Sequence, residues 1–301
     1  MIRVEDISNL AQQGHNEVML VDSKPVLRVK DYLRRNYGVP ISHWCFYEPN
    51  MLISSRQGIP WEQSNPLIVQ LPGCNLQQCG STGCTYCFNA INAPTIEVDP
   101  KSIMQAVAKH PTRTLRISGG EPLWGDNLRS VKELLAVAGP EMLIWVDTNL
   151  TQDVDWNELG DINDYDDWLE IVVCGSFKGF TQEIVNKYSP GVNLDDQFRI
   201  AKKLWDSDVD MVFYYVPALT KDNREVLYPP IIEEFISRLV NEVSSQSVYA
   251  TTILEIHDYN SCKTHMKDTR SCFNHCRDVW NNRVDVQRHM PMNIFAQRSN
   301  R

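Results

Sequence analysis

From Pro66 onward the chain alternates short β-branched runs with helix-like segments, and this rhythm constrains the fold more than any other feature. The predicted strands are Leu67–Leu71, Thr114–Ser118, Leu143–Thr148, Leu169–Cys174, Met211–Val216 and Tyr249–Ile256. The predicted helices between them are Pro100–Lys109, Asn127–Ala138, Asp155–Trp168, Leu194–Asp206 and Pro230–Val243. Asp99 followed by Pro100 reads as a helix cap and first turn, and Asp195 and Asp196 suit the positive end of a helix dipole. Such alternation implies parallel strands with right-handed crossovers. Six strands give an α/β fold of the partial (β/α)6 barrel kind. Residues 1–65 read as an irregular N-terminal extension with one helix over Val26–Tyr37, residues 66–258 as the barrel, and residues 259–301 as a C-terminal extension containing Cys and His.

In parallel α/β folds ligands sit beyond the carboxyl ends of the strands. The chemistry-bearing residues fall at those places. Cys74 follows the first strand, Gly119-Gly120-Glu121-Pro122 the second, and Thr148-Asn149 end the third. Gly175-Ser176-Phe177-Lys178 follow the fourth strand and Pro217 the fifth.

Nine cysteines are many for a chain with no secretory start, and in a reducing compartment such crowding points to metal or redox chemistry. Cys74, Cys79, Cys84 and Cys87 share one loop; Cys262, Cys272 and Cys276 share a second region; Cys45 and Cys174 stand apart and read as small buried residues. Thiolates converging from a glycine-containing loop suit an iron–sulfur cluster. Structural zinc held by all four sulfurs is the other reading of that loop. The two glycines before Glu121 permit close backbone approach, and a Glu beside them can accept hydrogen bonds from an ammonium group.

On these residues the chain resembles the radical S-adenosylmethionine superfamily. Gly73-Cys74-Asn75-Leu76 and Cys84-Thr85-Tyr86-Cys87 look like the halves of its cluster signature, and Gly119-Gly120-Glu121-Pro122 like its methionine-binding segment. The usual gaps of three and two residues are here nine and two from Cys74, or four and two from Cys79. Cys74 is preferred because Asn-Leu follows it, as in the family; nine-and-two spacing also resembles Elongator-type tRNA-modifying radical enzymes. The resemblance implies a [4Fe-4S] cluster on Cys74, Cys84 and Cys87, with Cys79 as the alternative first ligand. It implies S-adenosylmethionine contacted by Tyr86, Ser118, Gly119, Gly120, Glu121, Thr148, Asn149, Lys178 and Pro217. One electron would then cleave the cofactor to methionine and a 5′-deoxyadenosyl radical, which abstracts hydrogen from a substrate. A flavodoxin- or ferredoxin-like electron donor is implied as a partner.

Cys84-Thr85-Tyr86-Cys87-Phe88-Asn89, Ser176-Phe177-Lys178-Gly179-Phe180 and Tyr188-Ser189-Pro190-Gly191-Val192-Asn193 look most like the activating enzymes of glycyl-radical proteins. That subgroup implies a protein or peptide substrate. Synthases acting on a small deazapurine precursor share the motifs, and a metal-stabilised binding protein without catalysis is a third alternative. In the C-terminal region Cys262, His265, Cys272 and Cys276 have three readings: zinc, a second iron–sulfur cluster, or no metal.

The formal net charge of −9 argues against general nucleic-acid binding, which needs clustered cations. No apolar run reaches membrane-spanning length, and the N-terminus lacks a signal pattern, so the chain is expected in the cytoplasm without a membrane partner.

Overall fold

The computed structural model describes residues 1–8, 16–30, 53–54, 57–60, 64–78, 83–87, 93–160, 169–219, 229–254, 256 and 269–284. Six parallel strands form the sheet that carries the site: β4 (Leu67–Leu71), β6 (Thr114–Gly119), β7 (Leu143–Thr148), β8 (Glu170–Ser176), β9 (Met211–Pro217) and β10 (Thr251–Leu254). They stand side by side in chain order, every one of these pairings parallel. Each strand thus returns beside its predecessor, the arrangement of a partial barrel.

The crossovers follow local chemistry. Helix α2 (Pro100–Lys109) opens where the Asp99 carboxylate accepts from Lys101 N at 3.2 Å, and it buries Ile103, Met104 and Val107. Helix α3 (Asp126–Leu135) leads from β6 to β7. After the short α4 (Asn157–Gly160) and β8 come α5 (Gln182–Tyr188) and α6 (Leu194–Trp205). Asn193 caps α6 by accepting from Asp195 N at 2.8 Å. Helix α7 (Pro229–Arg238) runs into a π-helical turn, Leu239–Val243, ahead of β10. One face of the sheet packs on these helices through Leu115, Ile117, Ile144, Val146, Val173 and Tyr214, among others. Fully buried side chains of this kind contribute about 1.5–3 kcal/mol each. Phe177, Phe198 and Phe235 form an aromatic knot there, with Phe177 centred 4.9 Å from Phe198 and 5.2 Å from Phe235. The opposite, inner face carries Leu143, Trp145, Val172, Cys174, Met211, Phe213 and Tyr215.

The N-terminal reading is corrected. Where an irregular stretch was expected there are three strands, β1 (Ile2–Glu5), β2 (Asn16–Val21) and β3 (Lys24–Lys30). Val26–Lys30 is therefore strand rather than helix; residues 31–37 lie outside the described residues. The reason is the turn at Asp22-Ser23, both at positive φ (50° and 64°), a two-residue hairpin that matches strand twist. It lacks the usual glycine signal. Strand β3 then pairs antiparallel with β4, so the hairpin extends the main sheet to eight strands. Strand β1 pairs antiparallel with β5 (Thr95–Val98) in a separate two-stranded sheet.

Smaller differences also matter. Strand β8 runs to Ser176, so Gly175 and Ser176 are strand rather than loop, and β10 is shorter than expected because residues 249–250 are turn. The helix expected over Asp155–Trp168 is observed as α4; residues 161–168 lie outside the described residues. Helix α5, the short α1 (Asn75–Gln78) and α8 (Thr269–Arg283) were not expected. Among the described residues no helix is long and apolar enough to cross a membrane.

Candidate active site

Because the six strands are parallel, the residues that follow them gather along one edge of the sheet. The closest approach joins the loops after β4 and β6. Gly120 N donates to Leu71 O and Glu121 N to Gly73 O, both at 2.8 Å. Gly119 has φ +108°, and a Cβ there would stand 2.5 Å from Leu71 O; one on Gly120 would stand 1.6 Å from Gly73 O. The two glycines thus admit the backbone of the cysteine loop, the close approach that the sequence suggested. Asn127 Nδ2 fastens the same junction, donating to Pro72 O at 2.8 Å and Glu121 O at 3.0 Å.

Glu121 is fully buried. Its Oε1 accepts from Thr148 Oγ1 at 2.8 Å and Leu123 N at 3.2 Å, and its Oε2 from Asn149 N at 2.7 Å. Burial pushes its carboxyl up to about 7, against those donors and the Lys178 charge. Asn149 Nδ2 donates to Asn75 Oδ1 at 3.0 Å and to Cys74 Sγ at 3.6 Å. Asn75 Nδ2 donates to Thr151 Oγ1 at 2.9 Å. One continuous network therefore links the cysteine loop, the Gly-Gly-Glu segment and the end of β7. Ser118, buried beneath it, pairs in register with Gln70.

Gln197 of α6, fully buried, closes the next two strand ends. Its Nε2 donates to Asn149 O at 2.6 Å and Ser176 O at 3.1 Å, and its Oε1 accepts from Lys178 N at 3.1 Å. Phe177, anchored in the aromatic knot, holds the half-buried Lys178 over the strand ends, where its Nζ donates to Ser176 Oγ at 3.2 Å. Gln197 was not anticipated. The signal was a polar residue on the stripe of Leu194, Phe198 and Ala201, which α6 buries.

Cys74, Cys84 and Cys87 are free thiols, each partly exposed. Cys84 and Cys87 share one turn, with Cys87 N donating to Cys84 O at 3.1 Å. That turn docks on the end of α5: Thr85 N donates to Tyr188 O at 2.8 Å, and the buried Ser189 hydroxyl donates to Cys84 Sγ at 3.1 Å and lies 3.4 Å from the Tyr86 hydroxyl. Burial pushes the Cys74 thiol up to about 11; Glu121 and Cys84 add to this, and a bond from Leu76 and the Lys178 charge oppose it. Burial, reinforced by Cys84, also holds the Tyr86 hydroxyl well above its usual range. Cys79 lies outside the described residues. Among the described residues no three His, Cys, Asp or Glu side chains close into a site for a metal ion. Sulfurs that each hold a different iron of one cluster need no such closure. Two of the three receive hydrogen bonds of the kind thiolate ligands take, so the donor set suits a centre held through thiolates, iron–sulfur or zinc.

Pro217 is buried at the end of β9, paired in register with Leu254. Among the described residues it is not drawn into the polar network. Cys272 and Cys276 stand one turn apart on α8, both buried, with Cys272 Sγ donating to Ala218 O at 3.4 Å. The Cys276 thiol is pushed up by its bond to Cys272 and by burial. Cys262, His265 and Cys45 lie outside the described residues, and Cys174 is fully buried on the inner face, as expected.

No protein-family model and no curated protein matches the chain. Solved structures do. It is similar to Streptococcus suis SuiB bound to S-adenosylmethionine, with 15% identity, TM-score 0.47, and coverage of 72% of this chain and 49% of that one. It is similar to TYW1 with a lysine-pyruvate adduct bound, with 13% identity, TM-score 0.44, and coverage of 92% and 89%. A spore photoproduct lyase with bound AdoMet and dinucleoside spore photoproduct has 13% identity, TM-score 0.41, and coverage of 80% and 72%. The chain spans about half the length of the SuiB structures. At these identities and scores the neighbours assign no residue role here.

Proposed function

We propose that the chain is a radical S-adenosylmethionine enzyme. The observation that carries this reading is the network in which Asn149 donates to Cys74 through its side chain and to Glu121 through its backbone. It makes the cysteine loop and the Gly-Gly-Glu segment one surface at the carboxyl edge of a parallel sheet, where such folds bind ligands.

In this reading Cys74, Cys84 and Cys87 hold a [4Fe-4S] cluster, and Gly119, Gly120, Thr148, Asn149 and Lys178 surround the methionine end of S-adenosylmethionine. Tyr86, Ser118 and Pro217 flank the remainder. Bound together, cluster and cofactor supply one-electron cleavage of the sulfur–C5′ bond and a carbon radical that removes hydrogen from a substrate. The protein orients, neutralises and shields. Lys178 places a cation beside Ser176, fit for the cofactor's carboxylate. Glu121, already holding three donors from its own chain, shapes the floor of the site rather than reaching into it. Asn149 and Ser189 donate to sulfurs that are anionic once ligated. A flavodoxin- or ferredoxin-like donor supplies the electron.

For the substrate, a protein or peptide is favoured by the activating-enzyme likeness of the sequence over residues 84–89 and 188–193; of these, Ser189 donates to Cys84. A small-molecule substrate is favoured by a different observation, the polar pair Arg116–Asp147 on the inner wall.

The test is anaerobic reconstitution with iron and sulfide, then reduction with dithionite. The expected result is 5′-deoxyadenosine from S-adenosylmethionine, lost on exposure to air. A fully loaded protein that leaves the cofactor intact would favour a binding role and overturn the enzymatic reading.

A further inference from the structure

The inner face of the sheet carries a charged group that the cofactor reading leaves unused. Arg116 on β6 pairs in register with Trp145, which pairs with Val172, which pairs with Met211. The wall around it is apolar, with Trp145, Val172, Cys174, Met211, Phe213 and Tyr215 each no more than 7% exposed. A guanidinium on such a wall is costly unless paired.

Asp147 supplies the partner. Arg116 Nε donates to Asp147 Oδ2 at 2.8 Å, and Trp145 Nε1 donates to Asp147 Oδ1 at 2.7 Å. The Trp145 ring lies under the guanidinium, 4.1 Å from its Cζ. Burial works against the charge, but the Asp147 carboxylate holds Arg116 protonated. Ion pair and ring together fix the plane of the guanidinium and engage only its Nε edge. Among the described residues the terminal Nη1 and Nη2 meet no acceptor. The side chains of Arg116 and Asp147 keep 25% and 20% exposure in a wall otherwise closed. A charged fork oriented in this way is suited to two-point recognition of a planar or tetrahedral oxyanion. It lies three residues before Gly119, roughly 10 Å along the strand.

We propose that Arg116, positioned by Asp147 and Trp145, binds an anionic oxygen group of the substrate, carboxylate or phosphate, inside the barrel and below the strand-end site. Calling the occupant a substrate rests on the function proposed above; the binding itself requires neither cluster nor cofactor.

The experiment uses the full chain without cluster. Phenylglyoxal modification of each arginine is followed by peptide mass spectrometry, with sodium phosphate, sodium acetate or sodium chloride present at matched ionic strength. Arg116 is expected to react, and to be slowed at least ~5-fold by phosphate or acetate with half-effect in the millimolar range, while the exposed Arg129 is unaffected. Protection by phosphate alone assigns a phosphate-bearing ligand, and protection by acetate a carboxylate. An Arg116 that never reacts, or that chloride protects equally, overturns the proposal. Arg116→Lys keeps the charge and loses the fork; equilibrium dialysis of the protecting anion should show at least ~10-fold weaker binding, and unchanged binding also overturns it. Cofactor cleavage is assayed separately, so anion binding that stands while cleavage fails isolates the failure to the cofactor reading.

Discussion

Gly120 lies so close to Gly73 that a Cβ on it would stand 1.6 Å from the Gly73 carbonyl oxygen. No side-chain rotation relieves that contact, because both partners are backbone. Gly120→Ala must force the loops after β4 and β6 apart and break the bonds from Gly120 N and Glu121 N. The expected cost is about 3–5 kcal/mol, read by urea unfolding, with loss of iron uptake. A variant of native stability would show that the loops meet differently.

Gln197 holds three backbone groups with one side chain. Gln197→Leu keeps the volume and leaves the Asn149 and Ser176 carbonyls and the Lys178 N–H without this partner. A loss of about 2–4 kcal/mol is expected, lowering Tm by roughly 5–10 °C. Binding of S-adenosylmethionine, followed calorimetrically in the folded variant, should weaken with it. Unchanged stability would mean these groups are satisfied elsewhere.

The three described thiols make a prediction about ligand identity. Cys74→Ser, Cys84→Ser and Cys87→Ser should each bring iron and acid-labile sulfide to near background after reconstitution, whereas Cys79→Ser should keep the wild-type content. The measurement is iron per chain alongside the visible absorption of the cluster. Retained iron in Cys74→Ser with loss in Cys79→Ser would move the first ligand to Cys79.

Glu5 offers a pH test away from the site. Burial pushes its carboxyl up to about 7 from 4.5, with Arg28 opposing. The folded chain therefore keeps a proton that the unfolded chain releases between about pH 4.5 and 7. This contribution to stability is complete below about pH 4.5 and is lost as pH rises through 7. Relative to Glu5→Gln, the wild type should lose up to about 3 kcal/mol between pH 4.5 and 8, read by urea unfolding at both ends. Parallel profiles would show that Glu5 does not titrate in this range.

The strands Leu67–Leu71 and Leu143–Thr148 and the helix Pro100–Lys109 were legible to the residue because each announces itself locally. Apolar runs, a Pro at the first turn and an Asp cap act within a few positions. The N-terminal hairpin was not legible, since Asp22-Ser23 lacks a glycine and its pairing partner β4 lies some forty residues on. Within the site, Cys74, the Gly-Gly-Glu segment and Asn149 were visible as residues at strand ends. Ser189 and Gln197 were not, because a serine before Pro190 and a glutamine on a helix stripe acquire meaning only from what packs against them.

By itself the sequence determined the order of the six parallel strands and which residues stand at their ends, since period and turn chemistry are local properties. Only the tertiary structure decided what those residues meet. It turned the two glycines toward Gly73 and Leu71, enclosed Glu121 among its own chain's donors, and set Arg116 against Asp147 and the Trp145 ring. Those outcomes depend on register between strands distant in sequence, and a one-residue change of register would send each side chain to the other face.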